Sequence, residues 1–161
     1  MIPVKSADEY EGYDSPEAAI TAAKKNSAQK SKRDEMAFAG HTFVDLWRTA
    51  DHHWFLEFSG GLWLRVFADR TVFGGVGWAV ETGRPAAWPV SGPVVLQWAA
   101  DRVSSVDAAA LAAKRRGAPF WQFWLNDMGF HVYLRGQLIL CFSPARRLDT
   151  GEMILHVWED D

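Results

Sequence analysis

The stretch Phe120–Phe142, FWQFWLNDMGFHVYLRGQLILCF, is where the apolar pattern of this chain is densest. Phe130, Val132 and Leu134 alternate with His131, Tyr133 and Arg135, the period-two pattern of a strand with two unlike faces. Leu138, Leu140 and Phe142 alternate in the same way, so three short strands are expected over the whole stretch. A three-residue connection, Arg135-Gly136-Gln137, sets Leu134 against Leu138, Val132 against Leu140 and Phe130 against Phe142. A two-residue connection would set Leu134 against Gln137, and a one-residue slip moves every side chain to the wrong face. The apolar face therefore selects the longer loop. In that register His131 lies opposite Cys141 and Tyr133 opposite Ile139.

The same logic reads a second hairpin upstream. Trp54, Leu56 and Phe58 alternate with His53, Phe55 and Glu57; after Ser59-Gly60-Gly61, Leu62, Leu64 and Val66 alternate with Trp63, Arg65 and Phe67. A three-residue loop pairs Phe58 with Leu62, Leu56 with Leu64 and Trp54 with Val66, and puts Arg65 opposite Phe55. Gly61 stands where such loops need a left-handed residue.

Around these hairpins the rest falls into place. Ser15-Pro16-Glu17 is a helix start, with a serine cap, proline in the first turn and an acid near the positive end of the dipole. A helix can follow, with an interruption expected near Asn26-Ser27; between 18 and 35 its one large aliphatic residue is Ile20, so it should dock weakly and add little stability. HTFVDLWR (41–48) and Val72–Val80 read as strands, the latter weakened by Gly74, Gly75 and Gly77, which imply a bulge or a close backbone approach. Glu81–Pro93, with three prolines, reads as a long loop, and Val94–Trp98 as a short strand. A helix over about 105–116 is expected from a cap at Ser104 or Ser105, an alanine-rich run, a basic last turn, Gly117 and Pro119. Met153–Trp158 reads as the last strand. The fold class is α+β: antiparallel meander sheets of about six to eight strands, one well-defined helix and a weakly docked N-terminal helix. Residues 1–37 read as a polar arm and 38–161 as a single domain.

Composition narrows the function classes. The chain has 161 residues, 48% apolar, which suits one globular domain with a proper core. A net charge of −3 argues against a general nucleic-acid binder, which carries a basic stripe. Five of the six lysines precede residue 37, so the arm is a different kind of surface from the body. One cysteine makes no internal disulfide and fits a reducing compartment; with an N-terminus that lacks an apolar signal core, the expectation is a cytoplasmic protein. The longest uncharged run, Pro85–Ala100, holds Pro85, Pro89 and Pro93 and is not a membrane span.

No motif demands chemistry. His52 and His53 are adjacent, so on a strand they face opposite ways, and no metal-ligand spacing of histidine or cysteine is present. No metal site and no cofactor are read. Gly75-Val76-Gly77 follows a strand but lacks the third glycine and the helix of a dinucleotide loop. His131 opposite Cys141, with Tyr133 on the same face, is a candidate thiol–imidazole site, set against the ordinary burial of lone cysteines. The nine tryptophans are the remaining clue, since nine are hard to bury completely in this length. Trp78, Trp88 and Trp98 flank the proline loop and, with Arg84, are the candidate binding residues.

The hairpin WFLEFSGGLWLRV (54–66) is of a kind common among small bacterial domains and resembles, over about that one hairpin, some toxin-neutralising immunity proteins. That resemblance implies a protein partner and no catalysis. Three functions are therefore carried forward: a non-catalytic protein-binding domain of inhibitor or immunity type; a small-ligand or carbohydrate-binding module using the loop tryptophans; and an enzyme built on His131 and Cys141.

Overall fold

A computed structural model describes residues 15–86, 89–90, 94–100, 102–136, 138–148 and 150–159; of 90, 94–99 and 102–105 only the backbone is described. Among these residues there are two α-helices and eleven strands. Helix α1 spans Pro16–Phe38, and the Ser15 hydroxyl accepts from the Ala18 amide at 3.1 Å. It runs unbroken through Asn26-Ser27, correcting the interruption expected there: both residues lower helix propensity slightly, but neither breaks the ladder as proline would. The face turned to the body is made of small side chains, with Ala19 and Ser31 buried and Ala22, Ala23 and Ser27 half-buried. Docking is stronger at the C-terminal end. Trp78 donates its indole N–H to Asp34 at 2.9 Å, and the Phe123 amide donates to Glu35 at 2.9 Å. The Phe38 ring enters the core 4.9 Å from Phe58 and 5.5 Å from Phe120, centre to centre.

The first sheet is a meander of β1 (Phe43–Thr49), β2 (Trp54–Phe58), β3 (Leu62–Ala68) and β4 (Val76–Thr82). Phe58 pairs with Leu62, Leu56 with Leu64, Trp54 with Val66 and Phe55 with Arg65, as face matching requires, with Gly60 and Gly61 left-handed at the turn. Two expectations need correcting here. The strand read from Val72 starts at Val76, because Phe73-Gly74-Gly75 forms a 3-10 turn. Gly74 and Gly75 have φ of 80° and 75°, and a Cβ on Gly74 would stand 2.6 Å from the Asn126 carbonyl oxygen, so this turn sits hard against the other sheet. The expected loop over 81–93 is not all loop: β4 runs to Thr82, and Pro89–Val90 (β5) adds a two-residue edge to β1. Proline is tolerated there because an edge strand has one side without a partner.

Strands β6 (Val94–Ala99) and β7 (Arg102–Val106) form a hairpin that leads into helix α2 (Ala108–Arg115). The helix starts later than Ser104 or Ser105 because those serines belong to β7; the cap is Asp107, whose carboxylate accepts from the Ala110 amide. The second sheet follows as a meander of β8 (Phe120–Asn126), β9 (Gly129–Leu134), β10 (Leu138–Arg146) and β11 (Met153–Glu159). Its β9–β10 register pairs Leu134 with Leu138, Val132 with Leu140 and Phe130 with Phe142. Backbone bonds from Phe43 and Phe120 to the Ala118 and His41 carbonyls stitch the two sheets at one corner.

One continuous core lies between the sheets. Leu46, Trp54, Leu56, Leu64 and Val66 meet Phe123, Phe130, Val132, Leu140 and Phe142 across it. Arg115, expected only to complement the α2 dipole, is fully buried; it donates to the Ile139 carbonyl and pairs with Glu159 at 3.0 Å, tying the helix end to β10 and β11.

Candidate functional site

Each sheet turns one face to the core and one outward, and the outward faces carry the candidate chemistry. On the second sheet, Trp124 of β8 pairs with His131 of β9, His131 with Cys141 of β10, and Cys141 with Trp158 of β11, so the four side chains form one row across the sheet. Tyr133 stands two residues along β9, its ring 6.0 Å from Trp121, and the Arg135 guanidinium lies 5.1 Å from the Trp121 ring centre. His156 stacks on Trp158 at 4.9 Å.

The position of Trp121 depends on a bulge. In a regular strand, residues three apart face opposite ways. The β8–β9 register slips between Phe120 and Gln122, which adds one residue to β8. Phe120 and Phe123 therefore both enter the core, while Trp121 and Trp124 both point outward, 45% and 52% exposed. Indoles that open are uncommon in a protein of this size, and these two share a strand and a face.

The outward face of the first sheet builds a groove of about 650 Å3. A bulge at Val44, whose carbonyl accepts from Arg116 at 2.9 Å, shifts the β1 register so that Asp45 sits directly opposite Glu57. Trp47 stacks on Phe55 at 4.7 Å and meets Trp63 edge-on at 5.6 Å, which gives the groove an indole wall. Arg84, Pro89 and the start of α2 at Asp107 also line it. Burial, and next the Asp45 charge, push the Glu57 carboxyl above the usual carboxylate range, while Arg84 pulls it back.

The sequence-stated candidates are distributed unevenly over this frame. His131 Nδ1 and Cys141 Sγ do come together, at 3.0 Å, in the expected register. Imidazole so placed can take a thiol proton, yet Cys141 is 1% exposed, so no electrophile reaches the sulfur without the sheet face opening. Tyr133 shares the face with both, two residues along β9 from His131. Trp78 is 4% exposed, stacked on Phe130 and bonded to Asp34, which removes it from any contact surface. Arg84 is exposed and lines the groove. Trp98 lies on β6 with its side chain outside the described residues, and Trp88 lies outside them altogether. The histidines do not converge: His41 Nδ1 bonds the Ser59 carbonyl at one end of β2, and His53 meets Arg65 at the other.

Trp121, Trp124, Trp47 and Trp63 were not singled out from the sequence. A signal for the first pair was present, since FWQFW repeats at three residues, a period that only a bulged strand can bury on one side. Among the described residues no group of three His, Cys, Asp or Glu side chains is set to hold a metal ion, and no helix is long and apolar enough to cross a membrane. No family model, no curated protein and no solved structure matches this chain.

Proposed function

We propose that this chain is a non-catalytic protein-binding domain of inhibitor or immunity type, and that it meets its partner with the outward face of the second sheet. The observation that carries this reading is the pair of bulge-aligned, half-open indoles of Trp121 and Trp124. The row of outward side chains runs across four strands, an extent that suits a protein partner better than a small ligand. Its residue types, tryptophan, tyrosine and arginine, are those that dominate interface energetics. Covering the two indoles removes on the order of 200 Å2 of apolar surface from water, worth roughly 5 kcal/mol. That matches only the low end of the cost of association, about 4–15 kcal/mol, so the surrounding Tyr133, Arg135 and Trp158 are needed for a stable complex. The closed thiol of Cys141 supports binding without covalent chemistry.

The test is photocrosslinking in cells from a reactive residue placed at the exposed Met128, beside this face. The expected result is a protein captured by the parent and lost from the Trp121→Ala/Trp124→Ala variant, with the melting curve in place. Equal capture by both would overturn the assignment of this face.

A further inference from the structure

The groove on the first sheet is a second, chemically different site, on the far side of the core from the face just described. We propose that it binds a neutral saccharide of one or two rings between the Trp47–Trp63 wall and the polar groups of Asp45, Glu57, Asp107 and Arg84. Its volume, about 650 Å3, falls within the range of small-molecule pockets. A sugar ring has apolar C–H faces and a rim of hydroxyls that both donate and accept. A site for it therefore needs an aromatic wall, fixed acceptors and a fixed donor together. Here the half-buried Trp47 supplies the wall, with the edge of the buried Trp63 beside it, Asp45 and Glu57 supply acceptors from neighbouring strands, and Arg84 adds a donor to the lining.

Competing ligand classes fit less well. A phosphorylated ligand would meet three carboxylates. An apolar ligand would strip water from the same carboxylates, and Glu57 has no ion pair among the described residues to compensate, a costly burial. A small organic cation would satisfy the acids but face Arg84, whose charge reaches Glu57 and opposes the upward shift of its carboxyl. The cross-strand pair itself argues for a ligand. Two acids directly opposite each other repel, and among the described residues Glu57 has no ion pair, whereas Asp45 has Arg116 at 3.6 Å. A hydroxyl rim donating to both acids relieves that repulsion.

The experiment is ligand-observed saturation-transfer NMR on the intact chain with a panel of free neutral mono- and disaccharides, and with n-butylamine as the cation. The expected result is saturation of at least one saccharide and none of the amine. Its affinity should fall at least about tenfold in Glu57→Gln, at a half-buried position, and in Arg84→Ala, at an exposed one, and stay unchanged in Trp121→Ala/Trp124→Ala. Trp47→Ala should abolish binding where it folds. Silence across the saccharides, binding of the amine instead, or saccharide binding indifferent to both Glu57→Gln and Arg84→Ala would each overturn the proposal. None of these outcomes bears on the protein-binding face, which has its own variant.

Discussion

Glu57 shows how a single residue can weaken the fold that carries it. Burial and the facing Asp45 raise its carboxyl pKa in the folded state. Between the ordinary carboxylate value and the raised one, the folded chain holds more protons than the unfolded chain, so stability falls as pH rises through that window. Above the window the whole cost is present; below it both states are protonated and the cost is gone. Glu57→Gln should therefore raise the melting temperature at about pH 7 and leave it unmoved at about pH 3, as thermal unfolding at the two pH values would show. Leu140 is the opposite case. It is fully buried and paired with Val132. Leu140→Ala should cost about 2–5 kcal/mol in chemical denaturation, as a large-to-small change in a closed core.

Among the elements, α1 and β8 act as a pair. An edge strand presents unpaired backbone groups, and α1 lies along β8 with Glu35 taking the Phe123 amide. The helix is held in two unequal parts. From Pro16 to about Gln29 it touches the body mostly through alanine and serine, with the half-buried Ile20 and the Lys24 amine 5.3 Å over the Phe73 ring; from Lys30 on it contributes the Asp34 and Glu35 bonds, the Lys30 amine 4.1 Å over the Trp78 ring, and the Phe38 ring. We therefore expect removal of 1–29 to shift the melting temperature by less than about 3 °C, under 1 kcal/mol for a chain of this size. Removal through Phe38 should lower it by far more, because it empties a place in the core and uncovers the β8 edge. Differential scanning calorimetry of the two truncations separates these outcomes.

At the scale of the whole molecule, the two sheets share one core and so leave two outward faces with different fates. One forms a groove with Arg84, Pro89 and the start of α2; the other carries the half-open indoles of Trp121 and Trp124. Because Trp121 and Trp124 already face water, replacing both by alanine should change global stability by no more than about 1 kcal/mol while removing partner capture. A melting transition lowered by many degrees would mean that these rings pack on the fold rather than serve a partner. The two faces lie on opposite sides of the core, so variants on one are expected to be additive with variants on the other, which a double-variant cycle in stability would measure.

Both hairpin registers were legible in the chain itself. Phe130, Val132 and Leu134 match Leu138, Leu140 and Phe142 in one alignment only, and Trp54, Leu56 and Phe58 do the same with Leu62, Leu64 and Val66. Period two and a three-residue turn are local facts, so sequence alone determines them, and with them the meeting of His131 and Cys141. The start of α1 at Ser15 is local in the same sense. What alternation cannot say is which of the two faces will be covered, and how. Trp78 looked like a loop-flanking surface residue and is core, because the Phe130 ring and Asp34 reach it from 52 and 44 residues away in sequence. Trp121 became surface because a bulge, decided by pairing with β9, realigned it with Trp124. The groove exists only where a β1 bulge, Arg84, Pro89 and the start of α2 converge. Exposure is a property of what packs over a face from elsewhere in the chain, so the binding surfaces were decided by tertiary structure and the strands by sequence.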